Sequence, residues 1–143
     1  MSTYLVVIDK ATSAQDLRFG LLNLVSTHKP VSLVLLQSPE RLPGESEEEA
    51  RRAARDSVSG TRSLLSTMGL PVADAVVGDI VPKKAIAEEM ESGRRTYDGI
   101  VLTSKSSGLM RFLHFDLARQ LERKYHVPVT YIQPEPVETA VAV

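Results

Sequence analysis

The chain has 143 residues, a formal net charge of −1 at pH 7, no cysteine and no tryptophan. These values exclude disulfides and thiolate chemistry within the chain, and they argue against nucleic acid as a partner, which needs a basic surface or aromatic stacking platforms. The length fits one domain, and the first ten residues lack both a basic segment and an apolar run of signal-peptide length. We therefore expect a cytoplasmic protein with no membrane association.

The first half of the chain alternates between apolar runs and helical patterns. The run Tyr4–Ile8 is continuously apolar, which is typical of a strand covered on both faces of a parallel sheet. Ser13 and Asp16 have the spacing of an N-terminal cap, and they predict a helix that ends before Pro30. Val31–Leu36 is the second predicted strand.

A charged segment, ESEEEARR, begins the second predicted helix. Ser46 and Glu49 have capping-box spacing, and Gly69 is expected to end the helix. The charges themselves are explained by a solvated helix surface. The face toward the sheet is predicted to contain mainly small residues: Ala50, Ala53, Ala54, Ser57, Thr61, Leu64, Leu65 and Met68.

The second half of the chain continues the alternation. Val72–Val77 and Gly99–Thr103 are predicted strands, separated by a predicted helix over Ile80–Ser92. A further helix passes through Leu117, and Val127–Ile132 is the fifth predicted strand. Strands that alternate with crossover helices predict an α/β fold with a five-stranded parallel sheet and helices on both faces.

The predicted elements end at residue 132. We therefore treat residues 1–132 as one domain and expect residues 133–143, which include two prolines, to form a mobile tail. A less favoured alternative is that the apolar end of this tail pairs against a partner chain.

The sequence carries no pattern that indicates catalysis. No two of His28, His114 and His126 are three or four residues apart, so no helical metal-binding pair is present. The G-x-S-x-G, G-x-x-x-x-G-K-[ST] and G-x-G-x-x-G motifs are also absent. The acidic run around Glu88 and Glu89, next to two lysines, is interpreted as a solvated helix face. We predict that the protein is not an enzyme and holds no metal.

Ligands of such sheets bind beyond the carboxyl ends of the strands. The candidate binding residues are therefore those at the strand ends: Asp9, Lys10, Gln37, Ser38, Gly78, Asp79, Thr103, Ser104, Lys105 and Ser106. Asp9 either contacts a ribose or base edge, or only caps the turn that leads to the next helix. Both alternatives stay open at this point.

Four segments resemble successive parts of the universal stress protein family: YLVVID, AVVGDIVPKKAIAEEM, YDGIVLTSKSSGLMRFL and LARQLERKYHVPVTYI. Together they extend from Tyr4 to Ile132. The resemblance implies a Rossmann-like fold of the adenine nucleotide alpha hydrolase type, with strand order 3-2-1-4-5. It also implies a homodimer formed by antiparallel pairing of the last strand, Val127–Ile132.

Members of this family that bind ATP have a phosphate loop with glycine, two residues, glycine, nine residues, then glycine followed by Ser or Thr. The corresponding positions here hold Thr103, Ser106 and, one residue early, Phe115-Asp116. Asp9 matches an acidic residue that contacts the nucleotide in binding members. If the last helix begins at Asp116, its carboxylate would occupy the anion site, where a phosphate about 4 Å away would be repelled by roughly 4 kcal/mol at a dielectric of 20.

These features lead to two functional hypotheses. The first is a homodimeric regulatory or interaction module with an unidentified protein partner, which binds no ATP and uses no cofactor. The alternative is a stress-response switch that binds ATP or AMP, in which the serine-rich loop TSKSS surrounds the phosphates and Asp9 contacts the ribose.

Overall fold

The computed structural model describes residues 1–9, 12–103 and 108–132, and of residues 108–115 it describes the backbone only. Helices and strands alternate along this part of the chain: β1 (Ser2–Ile8), α1 (Ala14–His28), β2 (Val31–Gln37), α2 (Glu47–Thr67), β3 (Val72–Val77), α3 (Pro82–Glu91), β4 (Gly99–Thr103), α4 (Gly108–Tyr125) and β5 (Val129–Ile132). The residues of the predicted tail, 133–143, lie outside the described part.

The five strands form one parallel sheet in the order β3-β2-β1-β4-β5. The predicted α/β class and strand order are therefore confirmed. The chain moves from β1 toward one edge through β2 and β3, and then returns to add β4 and β5 on the other side of β1. The reversal places a topological switch point between β1 and β4.

Helices cover both faces of the sheet. On one face, α1 and α2 contribute Leu17, Leu21 and Leu65 to a buried apolar cluster. On the other face, α3 and α4 contribute Ile86 and Leu121 to a second cluster. Because alternate residues of a strand point to opposite faces, each central strand supplies both clusters, which explains its continuous apolar run.

The helix starts follow the predicted caps. The Ser13 Oγ atom accepts a hydrogen bond from the Asp16 N–H at 3.2 Å, and the Ser13 N–H donates to Asp16 Oδ2 at 3.0 Å. At the second helix, Ser46 Oγ accepts from the Glu49 N–H at 3.1 Å. Gly69 has φ of +87° directly after α2, which is the left-handed conformation that ends helices.

The buried face of α2 differs in part from the prediction. Ala50, Ala54, Val58 and Leu65 are buried, whereas Leu64 is 56% exposed, and the predicted inner residue Ala53 is exposed as well. At 100° of rotation per residue, Leu64 and Ala53 point roughly 90–100° away from the centre of the buried stripe. The prediction therefore placed the correct helix but took its inner face too broadly.

Two predicted boundaries shift because of proline. α3 begins at Pro82 instead of Ile80, after a turn in which Asp79 Oδ1 accepts from the Val81 N–H at 2.9 Å. β5 begins at Val129 instead of Val127, after Pro128, which cannot donate to the sheet but accepts from the Ile100 N–H at 3.0 Å.

The edge strand β3 is irregular and is contacted by arginines of α2. Its pairing with β2 shifts register so that Ala73 is passed over between Val72 and Asp74. The Arg62 Nη2 group donates to the Ala73 carbonyl at 2.9 Å, and Arg51 Nη1 donates to the carbonyl of Gly78, just beyond the strand, at 3.4 Å.

Of the helices in the described part, none has the length and apolar character that crossing a membrane requires.

Candidate functional site

A cavity of about 260 Å³ opens at the carboxyl ends of β1 and β4, where the strand order reverses. We call it the crevice. It lies where ligands bind in open parallel sheets. Its lining comes from strand ends, from the segment after β2, and from α3 and α4: Val7, Ile8, Asp9, Ser38, Pro39, Glu40, Ile80, Pro82, Ile86, Leu102, Thr103 and Leu117.

The walls of the crevice are mainly apolar. Ile86 and Leu102 are buried and belong to the core cluster beneath α3 and α4, and Leu117 of α4 packs against the same cluster. The crevice is thus an opening into the core, lined on one side by helix side chains. Such a surface suits a flat or apolar group better than a highly charged one.

Asp9 caps the turn after β1. Its Oδ1 atom accepts from the Thr12 N–H at 2.8 Å and from the Thr12 hydroxyl at 2.6 Å. The capping alternative is therefore realised, and it uses one carboxylate oxygen. The other oxygen, Oδ2, makes no hydrogen bond to the described residues, so the same side chain retains an acceptor at the crevice.

Thr103 fastens β4 to β1 at the floor of the crevice. Its Oγ1 atom donates to the Val7 carbonyl at 2.9 Å, and the residue is 7% exposed. Because a hydroxyl has a single proton to donate, Thr103 has none left for a phosphate oxygen.

The charges at the crevice are negative among the described lining residues, since Asp9 and Glu40 are acidic and no lysine or arginine occurs in that set. Two lysines of α3 are engaged elsewhere. Lys83 Nζ donates to Gln120 Oε1 at 2.9 Å, and Lys84 pairs with Asp79 at 3.5 Å.

Four of the residues predicted for the site do not line the crevice, and one of them is Asp79, which lies in the turn before α3. Gln37 is 1% exposed, and its Oε1 atom has no hydrogen-bond partner among the residues that the structure describes. Because Leu36 belongs to the cluster under α3 and α4, its neighbour Gln37 points to the opposite face. Gly78 packs against α3 instead of a ligand, since a Cβ atom there would lie 2.6 Å from the Ala85 Cβ.

Asp116 is the fourth, and its predicted role depends on a helix start that the structure contradicts. α4 begins at Gly108, so Asp116 lies about 12 Å along the helix from its first residue. Its exposed carboxylate accepts from Gln120 Nε2 at 3.0 Å, and the next residue, Leu117, lines the crevice. Asp116 therefore does not cap α4. Of the remaining predicted residues, Lys10, Ser104, Lys105 and Ser106 lie outside the described part, as does the side chain of Phe115.

Ser38, a candidate after the second strand, lines the crevice, whereas sequence reasoning missed Glu40 and the helix residues Ile86 and Leu117. The positions after the strands correctly indicated that the site lies at the carboxyl ends of the strands. The apolar positions of α3 and α4 nearest to that edge were the available signal for the walls.

A second cleft, also of about 260 Å³, lies between α2, β3 and α3. Glu89 on its wall is 2% exposed, so its interpretation as part of a solvated face was wrong. Its Oε2 accepts from the Tyr97 hydroxyl at 2.6 Å, and its Oε1 accepts from Arg94 Nη2 at 2.6 Å. Arg95 lies 3.6 Å from Glu89 and bonds Asp74 at 2.5 Å. We call these five residues the Glu89 network.

The network alters the titration of its members. Burial, together with the hydrogen bond to Glu89, raises the pKa of the Tyr97 hydroxyl well above its usual range. Partial burial opposes the change at Asp74, but the hydrogen bonds from the Ala75 N–H and from Arg95 hold the pKa of that carboxyl below its ordinary value. The same contact with Asp74 raises the pKa of Arg95. Each charge of the network is therefore matched by a partner within the protein.

No protein-family model matches the chain, and no curated protein sequence matches it significantly. Solved structures do match. A universal stress protein family protein from Arabidopsis thaliana with AMP bound is 19% identical, with a TM-score of 0.62 and coverage of 98% of this chain and 99% of that one. A universal stress protein from Archaeoglobus fulgidus is 17% identical, with a TM-score of 0.59 and coverage of 92% and 93%.

A universal stress protein in complex with cAMP is 15% identical, with a TM-score of 0.57 and coverage of 94% of this chain and 98% of that one. At these identities the likeness concerns the fold. The chain therefore has the universal stress protein fold over nearly its whole length, as the sequence resemblance predicts.

Proposed function

We propose that this chain is a non-catalytic regulatory or interaction module of the universal stress protein type, which does not bind ATP in its crevice. The observation that carries the proposal is the described lining of the crevice, which combines apolar walls with the carboxylates of Asp9 and Glu40 and no cation. A triphosphate at this site would meet negative charge on a surface of low polarity.

The size of this effect is sufficient to decide binding. Two like charges about 4 Å apart at an effective dielectric of 20 repel by roughly 4 kcal/mol, which corresponds to nearly a thousandfold in affinity. The two lysines of α3 that could offset it are bonded to Gln120 and Asp79.

The engagement of the described polar groups at the crevice supports the non-catalytic part. Asp9 Oδ1 is held by Thr12, and the Thr103 hydroxyl is bonded to a backbone carbonyl. His28 is the last residue of α1 and His126 follows the last residue of α4, which places both near the amino ends of the strands, away from the crevice. The His28 ring packs 5.7 Å from the Tyr4 ring.

A homodimer is part of the proposal. β5 is an edge strand of the described sheet, and edge strands are where a further strand can pair. We propose that two copies pair through Val127–Ile132, and that the dimer acts on a protein partner.

Isothermal titration calorimetry with Mg-ATP tests the crevice. We expect no saturable heat for the natural chain, and stronger binding when Asp9→Asn is combined with Glu40→Gln. The matched control is Asp56→Asn with Glu88→Gln, which removes the same charge from exposed positions outside the crevice lining. Saturable binding of Mg-ATP to the natural chain in the micromolar range would overturn the proposal.

A second candidate is a switch that responds to a nucleotide with fewer phosphates. The observation that favours it is Asp9 Oδ2, which has no hydrogen bond to the described residues and lies beside an apolar wall, in a fold shared with proteins whose structures contain AMP or cAMP. Thermal unfolding with AMP and with cAMP is the test. A rise in Tm that Asp9→Asn abolishes would support this candidate, and an unchanged Tm for both ligands would eliminate it.

A further inference from the structure

A groove of about 430 Å³ lies between α1 and β5, on the face of the sheet opposite to the crevice. We call it the α1–β5 groove. Its lining includes Phe19 and Gly20 from α1 and Thr130 and Ile132 from β5, with the amide side chain of Asn23 at its side.

The groove exists because the helices of this face do not extend over β5. α1 and α2 pack against the strands nearer to the other edge of the sheet, so Thr130 of β5 remains exposed. The floor is formed where Ile132 packs on Gly20, since a Cβ atom at Gly20 would lie 2.7 Å from the Ile132 Cδ1. Phe19 stands beside this contact with 71% of its surface exposed.

We propose that residues 133–143, the segment that directly follows Ile132, dock in the α1–β5 groove of their own chain. The segment starts at the groove itself, because Ile132 is both the last residue of β5 and part of the groove lining. Fully extended, it reaches about 35 Å, which is ample to turn back over Phe19. The covalent link gives it an effective concentration in the millimolar range, so weak contacts suffice.

The composition of the segment matches the groove. Its second half, VETAVAV, carries three valines that fit the apolar surface of Phe19 and Ile132. The prolines at 134 and 136 have no N–H group and favour extended backbone, which suits a turn away from the sheet. The amides of Gln15 and Asn23 supply hydrogen-bonding groups along the groove.

The charges at the groove also match. The Arg18 guanidinium lies 5.9 Å from the centre of the Phe19 ring, and the segment carries Glu135 and Glu138. Asp16, the acidic residue of the groove lining, accepts hydrogen bonds from the N–H and the hydroxyl of Ser13 in the cap of α1.

The absence of tryptophan permits a direct test. Phe19→Trp introduces a single tryptophan at the groove, and its fluorescence is compared between the full chain and a chain ending at Gln133. Docking predicts emission at shorter wavelength and about twofold weaker acrylamide quenching in the full chain, since burial of half of the exposed ring would halve its accessibility. A second full-length variant, Val137→Asp with Val141→Asp, is expected to behave like the shortened chain.

Two controls define the outcome. Leu64→Trp, at a 56% exposed position on α2, should give the same emission in the full and shortened chains, and circular dichroism should show that every variant is folded. The difference at position 19 should be independent of protein concentration. Equal emission with and without the segment would overturn the proposal. A difference that appears only as concentration rises would also overturn it, because a second copy would then fill the groove.

Discussion

The crevice is lined by the first half of α3 and the Glu89 network lies near the end of that helix, and the two use carboxylates in opposite ways. In the crevice, Asp9 and Glu40 border open space, and only one oxygen of Asp9 is engaged among the described contacts. In the network, Glu89 is buried and receives hydrogen bonds from Tyr97 and Arg94. We infer from the comparison that a buried carboxylate with partners acts on stability, whereas a carboxylate at the crevice acts on ligand binding.

The largest effect should come from the centre of the network. Glu89→Ala removes the acceptor of the Tyr97 hydroxyl and of Arg94 and one of the two carboxylates beside Arg95, so we expect the free energy of unfolding to fall by about 3–5 kcal/mol. Urea denaturation measures it. The control is Glu91→Ala, whose exposed pair with Lys124 at 3.7 Å should contribute less than about 1 kcal/mol. Equal losses of stability for the two variants would show that the buried carboxylate contributes no more than the exposed one.

The next largest loss of stability is expected at Gly78, where the structure indicates a role in packing instead of ligand binding. Gly78→Ala drives a methyl group against Ala85, and we expect a loss of about 1–3 kcal/mol in urea denaturation. Gly60→Ala is the matched control, because it lies on α2 with no atom within 4 Å of the added Cβ, and it should gain up to about 1 kcal/mol. An unchanged stability of Gly78→Ala would show that the contact with α3 does not restrict this position.

A smaller effect is expected at the crevice. Asp9→Asn weakens the bonds from the Thr12 N–H and hydroxyl without removing the acceptor, so the free energy of unfolding should fall by about 1 kcal/mol. Thermal and urea unfolding measure this loss, with Asp56→Asn as the exposed control. A loss as large as that of Glu89→Ala would mean that Asp9 is mainly structural.

The smallest effect is a dependence on pH at the rim of the network. Because the pKa of Asp74 is held below its ordinary value of 3.8, its stabilising contribution is complete above about pH 5 and is lost as the pH falls through the native pKa. The side chain is 37% exposed, so solvent screening keeps this contribution below about 1 kcal/mol. Asp74→Asn should flatten the stability profile in that acid range, and an unaltered profile would contradict the assignment.

The helices and strands of the fold could be predicted from local patterns in the sequence. β3 and β4 begin and end at the predicted residues, and the cap of Ser13 and Asp16 forms as predicted. These features depend on apolar runs and on contacts three residues apart. Each can therefore be predicted without knowledge of the rest of the chain.

The site was less predictable because it depends on contacts between distant segments. Glu89 is acidic and follows another glutamate, and its burial is explained by the Tyr97 hydroxyl and by Arg94, eight and five residues later. Leu117, rather than Asp116, lines the crevice because α4 begins at Gly108, and a segment rich in serine gives no strong local sign of where a helix starts. Local patterns therefore located the site at the carboxyl ends of the strands but did not identify the side chains around the crevice.

The two edges of the sheet are not equivalent, and this limits how copies can join. At the β3 edge, Arg62 occupies the Ala73 carbonyl where the strand bulges, so this edge offers a poor template for a further strand. β5 has regular register with β4, although the Val129 N–H donates to Glu122 Oε1 at 3.3 Å, and it is the edge that we propose for pairing. Strand pairing between copies would then join like edges about a twofold axis and close after two chains, instead of extending as an open-ended fibre.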